Sequence, residues 1–108
     1  MICEDIDSFA AALCPHPSLI GLDLGTKTIG VAISDSLRFT ATPIETIKRV
    51  KFTVDAARLM EMITEREIGG IILGLPRNMD GSEGPRCQST RAFARNFSRI
   101  CEHPIGFW

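Results

Sequence analysis

Several features that define whole classes of protein are missing from this sequence. No apolar run is long enough to span a membrane, and the acidic N-terminus with its short apolar stretch does not predict a secretory signal. The cysteines form no Cys-x-x-Cys pair and match no common zinc signature: Cys3, Cys14, Cys87 and Cys101. We expect them to be reduced thiols in a cytoplasmic protein that contacts no membrane.

Excess charge of one sign is also missing, since the formal net charge is −1 over 108 residues. By itself this value indicates no polyanionic partner. The average hides a gradient: residues 1–23 contain four acidic residues and no lysine or arginine, whereas residues 77–101 contain five arginines against Asp80 and Glu83. Hydrophobic residues make up 44% and charged residues 23%, which is the composition of a single globular domain.

The N-terminal residues predict a short helix that precedes the main domain. Residues 5–14 favour this helix, and Pro15 ends it. We therefore place residues 1–18 in an N-terminal extension and residues 19–108 in the domain proper.

Three strands are predicted next. Two apolar segments rich in β-branched residues, Leu19–Leu24 and Thr28–Ser34, predict strands. Because the turn between them is too short for a crossover helix, we expect them to form an antiparallel hairpin. A third strand is expected over residues 39–47, where Pro43 favours an edge position.

The next segment predicts a helix and a buried strand. Thr53 is the expected N-cap of the helix, Asp55 lies on its polar face, and Gly69-Gly70 ends it. The continuous apolar run Ile71–Leu75 is typical of a central strand that is covered on both faces. Residues 77–84 form a polar loop.

A second long helix is expected to begin near Pro85, with these side chains facing inward: Phe93, Phe97 and Ile100. A last strand begins at Ile105. Three meandering strands followed by βαβ units predict an α/β fold, with a mixed sheet and helices packed on it.

Asp23 is the most informative candidate for a functional residue. It is a lone carboxylate in an apolar strand, next to a glycine turn where the backbone leaves room for a ligand. Magnesium prefers such carboxylate oxygens, together with waters and substrate phosphates. A structural role is an equally open alternative, in which Asp23 caps the turn by accepting hydrogen bonds from the amides of Gly25 or Thr26.

Two glycine-containing segments are further candidates. Gly25–Lys27 offers amides, a hydroxyl and a positive charge that suit phosphate, although such turns are common in plain hairpins. Residues 78–84 follow the central strand, where loops of open α/β sheets build binding crevices. Asp80 and Glu83 could supply metal ligands there. The commoner alternative is that Ser82 or Glu83 caps the next helix.

Arginines 91, 95 and 99 are spaced four residues apart on the second long helix. They could follow a nucleic acid backbone, but a solvated helix face is the more usual explanation of such a stripe.

Three sequence blocks in this order resemble the YqgF family, whose members are described as Holliday junction resolvases or nucleases of ribosomal RNA precursors. The blocks are GLDLGTKTIGVAISD at residues 21–35, PIETI at residues 43–47 and GLPRNMDGSEGPR at residues 74–86. The resemblance covers residues 19–108.

The resemblance implies a ribonuclease H-like fold and a cytoplasmic nuclease that uses Mg²⁺ or Mn²⁺ and matures the 5′ end of 16S ribosomal RNA. Asp23 matches the catalytic aspartate of the family's first strand and would be a metal ligand, with Asp80 or Glu83 as a second. The residues expected to bind pre-ribosomal RNA or structured DNA are Lys27, Asn78, Arg86, Arg91 and Arg95. A homodimer is left open.

The family departs from this chain at the C-terminus. It continues past the strand at Ile105 with an Asp-Glu-Arg-Leu motif, a helix and another acidic residue, whereas this sequence stops at Trp108. Several carboxylates are needed to hold two metal ions at a scissile phosphate. We therefore expect the C-terminal part of the domain to be missing, and the 108-residue chain alone to be inactive.

Two other functions are compatible with the same residues. The turn after Asp23 also resembles the phosphate-binding turn of the actin and sugar kinase superfamily, but those proteins need a second lobe to enclose ATP. A non-catalytic RNA-binding or assembly domain would use the basic residues without cleaving.

Overall fold

The computed structural model describes residues 2–12, 18–34, 41–75 and 80–107. Within them the chain forms one sheet and three helices, in the following order: β1 (Ile2–Cys3), α1 (Ile6–Ala12), β2 (Ser18–Leu24), β3 (Thr28–Ser34), β4 (Ala41–Lys48), α2 (Phe52–Glu65), β5 (Ile68–Leu73), α3 (Pro85–Ser98) and β6 (Ile105–Phe107). None of these helices has the length and apolar character needed to cross a membrane.

The sheet is mixed, as predicted, with the strand order β1-β6-β5-β2-β3-β4. β2, β3 and β4 form the antiparallel meander, whereas β5 pairs parallel with both β2 and β6. The hairpin closes tightly because the amide of Gly25 donates to the carbonyl of Thr28 over 2.8 Å. β4 is an edge strand, which confirms the position inferred from Pro43. Residues 39 and 40 of the predicted third strand lie outside the described residues.

Helices α2 and α3 pack on one face of the sheet. Successive strand residues point to opposite faces, and in β2 the buried side chains are Ile20, Leu22 and Leu24. They belong to a single apolar cluster that includes Leu59 of α2 and Phe97 of α3. The cluster leaves Gly21 and Asp23 on the other face, which we call the open face.

The N-terminal residues extend this sheet, although we predicted them to precede the domain. Ile2 pairs with Ile105, so β1 lies parallel to β6. Asp5 caps α1 by accepting a 2.7 Å hydrogen bond from the amide of Ser8. Phe9 then packs against Gly106 on the side of the sheet opposite α2 and α3, and a Cβ at Gly106 would lie 2.8 Å from its ring. A two-residue strand has too short a pattern to be recognised in the sequence.

The predicted start of α2 was wrong in detail. Lys51 rather than Thr53 occupies the N-cap, and its side chain makes no capping hydrogen bond. Asp55 lies in the first turn and accepts a 3.2 Å hydrogen bond from the amide of Val50. This explains why Asp55 is only 2% exposed rather than lying on a solvated face.

Two further helix predictions need correction. Gly69-Gly70 does not end α2, because the chain already leaves the helix at Arg66 and turns at Glu67, whose φ is +53°. Both glycines are buried in β5 instead. Ile100 is 50% exposed because α3 ends at Ser98, whereas Phe93 and Phe97 are buried as predicted.

Candidate functional site

Asp23 lies at the carboxyl end of β2, in the interior of the sheet and on its open face. Its neighbour on β3 is Gly30, where an added Cβ would lie 3.7 Å from the Cβ of Asp23. On the other side, the amide of Gly74 donates to the carbonyl of Leu22 over 3.0 Å, so a second glycine lies beside Asp23. The carboxylate is therefore exposed between two positions that have no side chain.

A shallow groove of about 400 Å³ extends from Asp23 over the open face. Its lining is mostly small or apolar and includes Gly21, Ala32, Pro43 and Ile72. Glu45 also borders the groove, but the guanidinium of Arg58 holds it through two hydrogen bonds of 2.7 and 3.1 Å. These bonds lower the pKa of Glu45 below its ordinary value.

The structure bears on whether Asp23 caps the glycine turn. The amide of Gly25 is bonded to Thr28, and within the described residues the carboxylate of Asp23 accepts no hydrogen bond. The apolar strand is buried on one face only, so the charge of Asp23 is solvated rather than enclosed. Asp23 is exposed and is among the residues that line the groove.

The loop before α3 does not behave as the sequence suggested. Asp80 accepts hydrogen bonds from the side chain and the amide of Ser82, at 2.6 and 2.9 Å. Those bonds, the side-chain one first, lower the pKa of Asp80. Neither Ser82 nor Glu83 is the N-cap of α3, because Gly84 occupies that position without a side-chain bond. Asn78, the other candidate in this loop, lies outside the described residues.

Arg91 differs from the other arginines of the stripe. Its guanidinium forms paired bonds of 2.7 Å with Glu83 and a 2.9 Å ion pair with Glu4. It also lies 4.9 Å from the centre of the Phe107 ring. These carboxylates raise the pKa of Arg91. The residue thus connects the N-terminal segment and the loop before α3 to the last strand.

The remaining basic candidates lie elsewhere on the surface. Arg86, in the first turn of α3, donates a 3.3 Å hydrogen bond to the carbonyl of Leu24, the residue after Asp23. Lys27 is exposed in the turn between β2 and β3, and Arg95 is exposed on α3. The structure therefore brings Arg86 and Lys27 to the end of the strand that contains Asp23.

One basic residue at this end of the sheet, Arg49, was not predicted from the sequence. Its side chain donates a 2.6 Å hydrogen bond to the carbonyl of Gly25, and its amide donates to the carbonyl of Lys27 over 2.8 Å. The available signal was the short basic run Lys48-Arg49-Val50-Lys51, which follows β4 directly.

The described residues do not assemble a complete metal site. No group of three carboxylate, histidine or cysteine side chains that could hold an ion occurs among residues 2–12, 18–34, 41–75 and 80–107. Asp23 is available as one ligand, whereas Asp80 is bonded to Ser82 and Glu83 to Arg91. The part of the chain that is described thus supplies one free carboxylate at the groove.

Comparison with known proteins identifies the family. The family model for RuvX, described as a Holliday junction resolvase, matches residues 17–108. The chain belongs to the RuvX family. A relative from Ruegeria pomeroyi is 67% identical over all 108 residues and bears the name "Putative pre-16S rRNA nuclease". Relatives of the same name from Cereibacter sphaeroides and Roseobacter denitrificans are 66% and 63% identical. This RuvX chain spans 68–70% of the length of these relatives.

Solved structures support the ribonuclease H-like fold of this RuvX chain. Thermus thermophilus RuvC, in complex with a Holliday junction substrate, matches with a TM-score of 0.58 at 13% identity. The match covers 86% of this chain and 64% of the RuvC chain. A Bacteroides thetaiotaomicron protein with an actin-like ATPase fold reaches a TM-score of 0.50 at 6% identity. At these identities the likeness shows the fold alone.

Proposed function

We propose that this RuvX chain is part of the nuclease domain of an enzyme that hydrolyses phosphodiester bonds at the 5′ end of pre-16S ribosomal RNA. The proposal depends chiefly on Asp23, an exposed carboxylate at the end of an interior strand, flanked by glycines and open to a groove. Relatives that are 63–67% identical over the whole chain bear the name of a pre-16S rRNA nuclease. The free thiols of Cys3, Cys87 and Cys101 agree with a cytoplasmic location.

In this proposal Asp23 is the catalytic carboxylate, and basic residues hold the nucleic acid. Lys27 and Arg86 are the strongest candidates for backbone contacts, because both lie at the end of β2. Arg95 is exposed and could contact a more distant phosphate. Arg91 would first have to leave Glu83 or Glu4, so we assign it a smaller share of binding. The role of Asn78 stays a prediction from the sequence.

We further propose that the enzyme uses Mg²⁺ or Mn²⁺, with Asp23 as one ligand. Asp80 or Glu83 could serve as a second ligand only by exchanging its present partner, Ser82 or Arg91. The described carboxylates therefore do not fit a two-metal site in their present arrangement.

Branched DNA is the second candidate substrate, since the family model is described as a Holliday junction resolvase. A direct comparison would separate the two. The full-length protein would be incubated with a pre-16S RNA that carries its 5′ extension and with a four-way DNA junction, each with Mg²⁺, with Mn²⁺ and with a chelator. We expect metal-dependent cleavage of the RNA that is absent from Asp23→Asn. Cleavage of the DNA junction but not of the RNA would overturn the proposal that pre-16S RNA is the substrate. Cleavage that the chelator does not reduce would overturn the proposal that the enzyme uses a metal ion.

A further inference from the structure

A second cavity lies beside the end of β2, separate from the groove on the open face. It has a volume of about 220 Å³ and lies between the β2–β3 turn and the first turn of α3. Its lining residues are Leu24, Gly25, Thr26, Arg49, Pro85, Arg86, Ser89 and Thr90. None of the residues that line the open-face groove around Asp23 is among them. The cavity still adjoins that site, because Leu24 directly follows Asp23.

Two arginine side chains converge on this cavity from different elements. Arg49 enters from the end of β4 and is held by the carbonyl of Gly25, whereas Arg86 enters from α3 and is held by the carbonyl of Leu24. Each of these bonds uses one terminal nitrogen of the guanidinium, and an arginine has several further N–H donors in a fixed plane. Both guanidinium groups are therefore oriented by the backbone and retain donors for a ligand.

The polarity of the cavity favours an anion. Arg49 and Arg86 are the charged residues among those that line it, and no carboxylate contributes to the lining. Thr26 and Ser89 add hydroxyl groups that can donate, while the hydroxyl of Thr90 is bonded to the carbonyl of Arg86. Planar guanidinium groups match the oxygen geometry of a phosphate group.

The surface around the cavity indicates the source of that phosphate. Lys27, Lys48 and Lys51 are exposed on the adjoining turn and at the end of β4. A mononucleotide would need only the enclosed cavity, whereas a polyanion gains from positive charges that continue beyond it. The exposed lysines therefore favour a nucleic acid backbone.

We propose that Arg49 and Arg86 bind a non-scissile phosphate of the nucleic acid backbone in this cavity and so position the strand relative to Asp23. This inference rests on the proposed nuclease function. It adds Arg49, Thr26 and Ser89 to the substrate-binding surface and places one backbone contact on the helix-covered side of the sheet.

The test is binding without cleavage. Affinity of the full-length protein for a fluorescent single-stranded RNA from the 16S 5′ region would be measured in chelator over a series of salt concentrations. Arg49→Ala and Arg86→Ala should each weaken binding about tenfold. Each should also flatten the dependence of log affinity on log salt by about one unit. Arg66→Ala is the matched control, since it removes an exposed arginine at the end of α2 and should leave the slope unchanged.

Further variants separate phosphate binding from a structural role. Arg49→Lys keeps the charge and should keep the slope, while Ser89→Ala should weaken binding without changing the melting temperature. Salt slopes of Arg49→Ala and Arg86→Ala equal to that of the parent chain would overturn the proposal. Displacement of the RNA by ATP at concentrations where inorganic phosphate has no effect would also overturn it, in favour of a nucleotide site.

These binding measurements test the phosphate site separately from the proposed nuclease activity. Asp23→Asn should bind the RNA with at least the parent affinity in chelator, because it removes only a negative charge from the far side of the strand. Weakened binding by the arginine variants would support the phosphate site even if no cleavage were found in the full-length protein.

Discussion

The two faces of the sheet use alternate residues of the same strand for different purposes. In β2, Ile20, Leu22 and Leu24 are buried under α2 and α3, and each is at most 8% exposed. Gly21 and Asp23, the residues between them, line the groove on the open face. The covered face is filled by large apolar side chains, whereas glycines on both sides of Asp23 keep the open face bare.

Within the seven residues of β2, the side chains that stabilise the fold and the side chain proposed for the chemistry therefore lie on different faces. Burial of Leu22 contributes to folding, because an apolar side chain gains free energy on leaving water. Asp23 is exposed and has no hydrogen-bond partner among the described residues, so its carboxylate contributes little to folding. We therefore expect substitutions on the two faces to change different measurements.

The largest stability effect is expected from Leu22→Ala. The substitution leaves a cavity under α2 and α3 and should reduce the free energy of unfolding by about 2–5 kcal/mol. Urea denaturation followed by circular dichroism would measure it. A reduction below about 1 kcal/mol would mean that the covered face is not packed as the structure has it.

A pair of glycine substitutions compares two parts of the face opposite α2 and α3, one covered by Phe9 and one bare. Gly106→Ala would place a methyl group 2.8 Å from the ring of Phe9 and should destabilise the protein by about 1–3 kcal/mol. The Cβ added by Gly30→Ala would meet the Cβ and the carbonyl oxygen of Asp23 at ordinary distances of 3.7 and 4.0 Å, so the thermal midpoint should be unchanged or slightly raised. Equal destabilisation by both substitutions would contradict the difference between the covered and the bare part of that face.

Arg91→Ala should have a moderate effect, because it removes ion pairs to Glu83 and Glu4 and the contact with Phe107. We expect a loss of about 1 kcal/mol in unfolding free energy, reduced by added salt. Arg95→Ala, on an exposed part of the same helix, should change it by less than about 0.5 kcal/mol. Identical unfolding curves for the two variants would mean that Arg91, like Arg95, is a solvated surface residue that contributes little to stability.

The smallest expected effect is the pH dependence of the stability contributed by the Glu45–Arg58 pair at the edge of the groove. The Glu45–Arg58 pair lowers the pKa of Glu45 below its ordinary 4.5. Its contribution to stability is therefore present above pH 4.5 and is lost as the pH falls through the lowered pKa. We expect Glu45→Gln to be less stable than the parent at pH 7 and equally stable in strong acid. A difference in stability between Glu45→Gln and the parent that persists in strong acid would exclude the Glu45–Arg58 ion pair as its cause.

Much of the fold could be predicted because it depends on local patterns. The structure confirms the mixed sheet that these patterns predicted. The patterns are the hairpin of β2 and β3, the edge position inferred from Pro43 and the apolar run at Ile71. The N-terminal strand could not be predicted, because two residues have no periodicity and their pairing with β6 depends on the completed sheet. The buried position of Asp55 was also missed, because its hydrogen bond from the amide of Val50, which satisfies the carboxylate, is not visible in the periodicity of α2.

The site was predicted less completely than the fold. The position of Asp23 at the end of an interior strand followed from its sequence neighbours. The partners of Glu83 and Arg91 did not, since Glu4 is 87 residues away from Arg91 in the chain. Arg49 was overlooked because a short basic run usually belongs to a solvated surface, and only the folded chain brings it next to Arg86.

The most direct test of the account is a paired measurement on Asp23→Asn in the full-length protein. The urea midpoint and the single-turnover cleavage rate on pre-16S RNA would be determined on the same preparation. We predict an unchanged midpoint and a rate at least about 100-fold lower. A variant that cleaves at the parent rate, or one that loses activity only in proportion to lost stability, would contradict the assignment of Asp23 to the chemistry.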